Sequence, residues 1–128
     1  MGRSGYAYRG RVKEVAMTVY VVQNQHCFSK QDSKMVPKFD FSSAEKYGKL
    51  VFLLSPTAAP FNPESIIKEL EEKLEPFTKD DYLLMVGNPV LMGLAAIIAN
   101  EYLEPGDPLN FLQWSGRDRG YITVPVVM

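Results

Sequence analysis

From Met17 onward the chain is punctuated by continuous apolar runs separated by helical patterns. Thr18 to Gln23 is β-branched and aromatic, the composition of a strand buried on both faces. Gln23-Asn24-Gln25-His26 closes it with polar residues. Residues 29–34 form a polar loop. Met35 to Phe41 alternates well enough for a short strand, which Pro37 keeps at a sheet edge. Ser42 and Glu45 have capping-box spacing, so one or two helical turns should follow and stop at Gly48. Leu50 to Leu54 is the next continuous apolar strand, ended by Ser55-Pro56-Thr57.

Asn62-Pro63-Glu64 specifies a helix start in three ways. Asn62 caps, Pro63 takes the first helical position where its missing N–H costs nothing, and Glu64 faces the positive helix end. Ile66, Ile67, Leu70 and Leu74 form the apolar stripe of this helix, and Pro76 stops it. Tyr82 to Val86 reads as another buried strand. Asn88-Pro89 repeats the cap-plus-proline start, and the helix from Val90 to Leu103 is apolar nearly all round. Gly93, Ala95, Ala96 and Ala99 offer it small faces, so it should be buried on more than one side. After the turn cluster Glu104 to Pro108, Leu109 to Trp114 and Tyr121 to Val127 read as a hairpin around Ser115 to Gly120.

The order is β, β, short α, then β-α-β-α-β-β. It predicts a small α/β domain of two or three layers. Its centre is a parallel β-α-β-α-β unit of three strands with right-handed crossovers, extended by antiparallel edge strands and a C-terminal hairpin. No internal repeat and no second domain is visible. In such a sheet ligands bind beyond the carboxyl ends of the strands, next to helix N-termini. Those ends carry Asn24, Gln25 and His26, then Ser55 and Thr57, then Gly87 and Asn88. The rim they form is suited to a nucleotide or another small anion, although helix caps and turns use the same residue types.

Composition narrows the setting. At 128 residues with 46% hydrophobic and 23% charged side chains, the chain has the size and balance of one globular domain. Tyr82 to Asn100 has no formal charge over 19 residues, near the lower limit for a membrane span. Gly87-Asn88-Pro89 interrupts it where a strand hands over to a helix, which argues for no span. No signal-peptide pattern is present, and the lone Cys27 fits a reducing, cytoplasmic location.

The net charge of −1 hides an asymmetry. Residues 1–16 are rich in Gly, Arg and Tyr and carry four basic side chains against Glu14, whereas the rest is mildly acidic. The folded domain is expected over 17–128, after a disordered leader. Lys13 to Met17 can be encoded as AAG GAG GTN GCN ATG, with a purine-rich tract ahead of ATG as at a bacterial ribosome-binding site. Met17 is then the expected native start and the leader translated upstream sequence, a reading that coding DNA lacking AAG GAG at codons 13–14 overturns.

Chemistry-bearing motifs are absent. There is no Gly-rich dinucleotide fingerprint, no phosphate loop and no Gly-x-Ser-x-Gly elbow. His26 and Cys27 are the only members of their types, and neighbours on an extended chain point apart, which disfavours a Cys-His pair; no zinc ligand set accompanies them. No catalytic residue, metal or cofactor is assigned. Glu71, Glu72 and Glu75 form an acidic helix end able to meet a basic partner, and Arg117 and Arg119 a charged hairpin tip that, beside Trp114 and Tyr121, is able to touch nucleic acid. The acidic body argues against nonspecific DNA binding.

Leu83 to Pro89, the Ala-rich helix, and the ending Leu112-Gln113-Trp114-Ser115 to Tyr121-Ile122-Thr123-Val124 together resemble small uncharacterised proteins of tailed bacteriophages, from Met17 to the C-terminus. The resemblance carries no activity. The expected function is that of a non-enzymatic phage or bacterial accessory protein that binds a macromolecule, a host or viral protein, in the host cytoplasm. The alternative is a Rossmann-like domain binding a nucleotide at the strand-end rim. A third is self-association through an exposed edge strand.

Overall fold

The computed structural model describes residues 17–128; the leader predicted over residues 1–16 lies outside them. Strands β1 (Thr18–Gln23), β2 (His26–Ser29) and β3 (Lys34–Pro37) precede a 3-10 helix, Ser42–Tyr47. Then follow β4 (Lys49–Leu54), α1 (Pro63–Leu74), β5 (Tyr82–Leu84), α2 (Pro89–Glu101), β6 (Leu109–Ser115) and β7 (Gly120–Val126). The main sheet runs β4-β1-β5-β6-β7. The first four strands in that order are parallel and β7 returns antiparallel to β6.

The α/β class and the terminal hairpin are those expected, but the parallel part has four strands rather than three. β1 is the addition, and it lies between β4 and β5. Its residues explain the position. Val19 and Val21 are buried in one cluster with Leu84, Leu112 and Tyr121. Tyr20 and Val22 are buried on the opposite face with Leu53, Leu70 and Leu83. A strand apolar on both faces belongs inside a sheet.

The second strand departs further from expectation. β3 joins no edge of the main sheet; it pairs only with β2, from His26↔Pro37 to Ser29↔Lys34, as a separate antiparallel ribbon. Chain leaving that ribbon crosses the main sheet, where Phe41 and Ala44 are buried on the face opposite the two α-helices. The capping-box prediction at Ser42 also fails: no side chain of that residue caps the turn. Instead the Asp40 carboxylate accepts the Ser42 N–H at 2.9 Å, so an acidic side chain two residues earlier takes the capping role.

α1 and α2 share the other face. α1 buries Ile66, Leu70 and Leu74 and starts at Pro63 without a side-chain cap from Asn62. At α2 the cap is as expected, with Asn88 Oδ1 accepting from Val90 N at 2.9 Å and Leu91 N at 3.4 Å. α2 is buried on more than one side, against the sheet and against α1, but not all round. Leu91, Ala95, Ile98 and Ala99 face the sheet, while Val90 and Ile97 are left exposed because no further element covers them. Among the described residues no helix is long and apolar enough to cross a membrane.

At the amino end of the sheet, Asp81 is buried and fully engaged. One carboxylate oxygen accepts the Thr18 N–H at 3.0 Å; the other accepts the Thr78 N–H at 2.9 Å and its hydroxyl at 3.1 Å. The start of β1 is thereby tied to the turn that launches β5. Charge-assisted bonds of this kind leave costly orphan donors when their acceptor is removed. Asp81→Ala should lower unfolding free energy by about 3 kcal/mol in urea melts. Gly93→Ala should act in the opposite direction. A Cβ at that exposed helical glycine meets nothing within 4 Å, so the variant should be more stable by about 0.5–1 kcal/mol.

Candidate functional site

The chain leaves β1 toward β4 and leaves β5 toward β6, so the sheet switches direction between β1 and β5. In open parallel sheets that crevice, beyond the carboxyl ends, is the favoured ligand position. Here a side chain of the protein itself stands at it. Gln23, the last residue of β1, is only 2% exposed. Its Oε1 accepts the Asn88 N–H at 2.9 Å. Its Nε2 donates to Ala58 O at 2.9 Å and Ser55 O at 3.1 Å. One amide thus bridges the loop after β4 and the loop after β5.

Gly87 makes room for that amide. It has φ +113°, a conformation that favours glycine, and a Cβ there would lie 2.5 Å from the Gln23 Cβ and 2.7 Å from its Oε1. Gln23 was read from the sequence only as a strand end. The Gly87-Asn88-Pro89 turn was the available signal, since glycine there marks a close approach by some neighbour.

The rim residues named above gather at this carboxyl edge, most with their polar atoms engaged. Asn88 spends its oxygen on the α2 cap. The Ser55 and Thr57 hydroxyls bond each other at 2.9 Å, and Ser55 Oγ also accepts the Thr57 N–H. Asn24 Oδ1 is buried with no partner among the described residues. His26 opens β2 on the exposed ribbon, beside exposed Cys27.

The charged candidates are not brought together. α1 crosses over from β4 to β5 antiparallel to the strands, which carries Glu71, Glu72 and Glu75 to the amino end of the sheet. Arg117 and Arg119 lie at the β6–β7 turn, at the carboxyl end and the far edge. Charge follows this division. The helix layer and its loops, residues 55–108, hold ten acidic and three basic side chains. Residues 26–49 and 115–119 together hold seven basic and four acidic ones. The mildly acidic body therefore has an acidic side and a basic side.

A further concavity has no counterpart in the sequence reading. α2 leaves the β6–β7 part of its face uncovered, and a groove of about 630 Å³ opens there. Met85, Met92, Phe111 and Val124 line it, with Gly93 and Gln113 at its mouth. Its lining is predominantly apolar, as the linings of ligand and partner sites commonly are. The groove contains no charged residue.

A family model described as phage Pam3 gp32-like protein matches residues 17–128. The chain belongs to that family. The resemblance to small phage proteins thus holds for the whole described chain, which is a phage-type accessory protein. No curated protein matches it, and no solved structure does.

Three substitutions separate packing from capping at the carboxyl edge. Gly87→Ala should cost about 3 kcal/mol, because it combines a disfavoured φ with a collision against β1. Gln23→Leu should cost about 2 kcal/mol through the orphaned Asn88 N–H and loop carbonyls. Asn88→Ala should cost about 1 kcal/mol as a lost cap. Chemical denaturation of the three variants checks the ranking, and equal losses would contradict the bridging role of Gln23.

Proposed function

We propose that this phage protein acts by holding a macromolecular partner, a viral or host protein, in the groove between α2 and the β6–β7 hairpin. The carrying observation is an uncharged apolar groove on a helix layer whose acidic side chains lie away from its lining. Such a surface complements a protein segment with apolar side chains at its centre and basic ones at its margins. A second copy is a poor occupant, since pairing these sides opposes two acidic layers. The small-anion alternative draws less support. Gln23 occupies the switch-point crevice with its own amide, and an anion there meets no free cationic side chain of the rim residues.

Defined probes test this reading. A Leu/Lys amphipathic peptide, titrated into the isotopically labelled protein, should perturb the methyl signals of Met85, Met92 and Val124. A Leu/Glu peptide of the same pattern should not. Gly93→Lys, which favours the helix while placing bulk and positive charge at the groove mouth, should weaken the Leu/Lys peptide at least tenfold. Perturbation centred elsewhere, or equal binding of both peptides, sinks the proposal. A nucleotide that raises the melting temperature of wild type but not of Asn88→Ala would return the function to the strand-end rim.

A further inference from the structure

The side of the molecule opposite the helices has a cleft of its own. It is about 320 Å³ in volume and is lined by Lys38, Phe39 and Asp40 from the segment after β3, and by Trp114 and Tyr121 from the β6–β7 hairpin. The two aromatic walls have free surface: Trp114 is 51% and Phe39 40% exposed. Exposed aromatic rings offer faces on which a planar ligand can stack.

The Trp114 wall is held in place from below. Tyr121 sits directly across the hairpin from it and meets it edge-on, with ring centroids 5.2 Å apart at 76°. The Tyr121 hydroxyl donates to the Asp40 carbonyl at 3.5 Å, and the Tyr47 hydroxyl donates to the Tyr121 carbonyl at 3.1 Å. Burial, then the nearby Asp40 charge, pushes the Tyr121 phenol up, which keeps it a neutral donor. Tyr121 is thereby anchored, and Trp114 rests edge-on against it from a sheet strand.

One cation lines the cleft and two more stand on the adjoining turn. Lys38 lines the cleft itself, its ammonium 5.4 Å from the centroid of the Phe39 ring. Arg117 and Arg119 stand on the turn that follows Trp114. Among the described residues, neither Lys38 nor Arg119 is in an ion pair, and Arg117 has only a loose one with Asp118 at 3.8 Å. Asp40 adds the one negative charge of the cleft, held ionised by the backbone N–H of Ser42, whose bond lowers its pKa. A carboxylate there repels a phosphate and accepts from the amino or imino group of a base. The arrangement sorts a nucleotide by its parts, with the base between Phe39 and Trp114 and the phosphates outside on Lys38, Arg117 and Arg119.

We propose that this aromatic cleft binds single-stranded nucleic acid by stacking an unpaired base on Trp114. Stacking accepts any base, since every base has a π-face, and the flanking cations neutralise a few phosphates. A duplex offers no free base face, and the acidic remainder of the body disfavours its denser charge. The proposal is independent of the groove on the helix side, because no residue lines both.

Trp114 is the only tryptophan of the chain, so its fluorescence reports on the cleft directly. Titrating the full chain with an oligothymidylate of about twelve nucleotides should quench that emission saturably. Affinity should fall with salt at a logarithmic slope of about −2, as for roughly three phosphates on a single strand. Heparin supplies charge without bases. It should compete while leaving the emission unquenched, which separates stacking from attraction to the basic residues 1–16. In anisotropy titrations with labelled oligothymidylate, Trp114→Leu should lose about tenfold in affinity. Phe39→Ala should also bind more weakly. Lys38→Ala and Arg119→Ala should each make the salt slope shallower by about 0.7. Unchanged urea melts identify the variants as folded. The proposal is overturned if wild-type emission does not respond, if heparin quenches it equally, if a duplex binds as tightly, or if folded Trp114→Leu and Phe39→Ala both bind as wild type.

Discussion

Two loops that leave the sheet from the strands on either side of β1 have to be held against each other, and in this protein the amide of Gln23 does it. It donates into the loop after β4 and accepts from the first turn of α2. Because Gln23 ends an inner strand of the parallel core, each bond it makes couples a peripheral loop to the buried centre of the molecule. A fully satisfied buried amide of this kind specifies one arrangement of its neighbours, since any other leaves polar groups unpaired. Asp81 does the corresponding work at the opposite end of the same strand pair. Between them the sheet is stapled at both ends by polar side chains and filled in the middle by aliphatic ones.

Much of this architecture was legible because local and global preferences agree. The β1, β4 and β5 runs, the Pro63 and Pro89 helix starts and the hairpin turn each fall within a residue or two of their expected places. Long-range pairing was not legible. Nothing within Thr18–Gln23 says that its neighbours are β4 and β5, and nothing in Lys34–Pro37 says that it will pair with β2 alone. The caps show the same division. Asn88 bonds its helix as its position suggests, while Asn62 and Ser42 have the right spacing and make no such bond. A cap depends on backbone angles that sequence spacing does not contain.

The surface was legible in composition and hidden in distribution. A mild excess of acid over the body is the average of two unlike sides, divided by the sheet. Glu71, Glu72 and Glu75 fall together because they share the end of α1; their distance from Arg117 and Arg119 follows only from the crossover. The α2 groove is hidden in the sequence for a related reason. An apolar helix reads as a buried one, and only the strand count shows that no element is left to cover β6 and β7.

The β2–β3 ribbon has a different relation to the rest. Most of its residues face solvent, and outside its own ladder its return is marked by the Lys38 N–H bonding Gln25 O at 2.7 Å. An isolated two-stranded ribbon has no core with which to resist opening. It should therefore exchange its amide hydrogens through local opening, well before the strands of the main sheet release theirs. Residues 30–33 at its tip are correspondingly the place where this chain can lengthen, shorten or accept a foreign segment while the sheet stays intact.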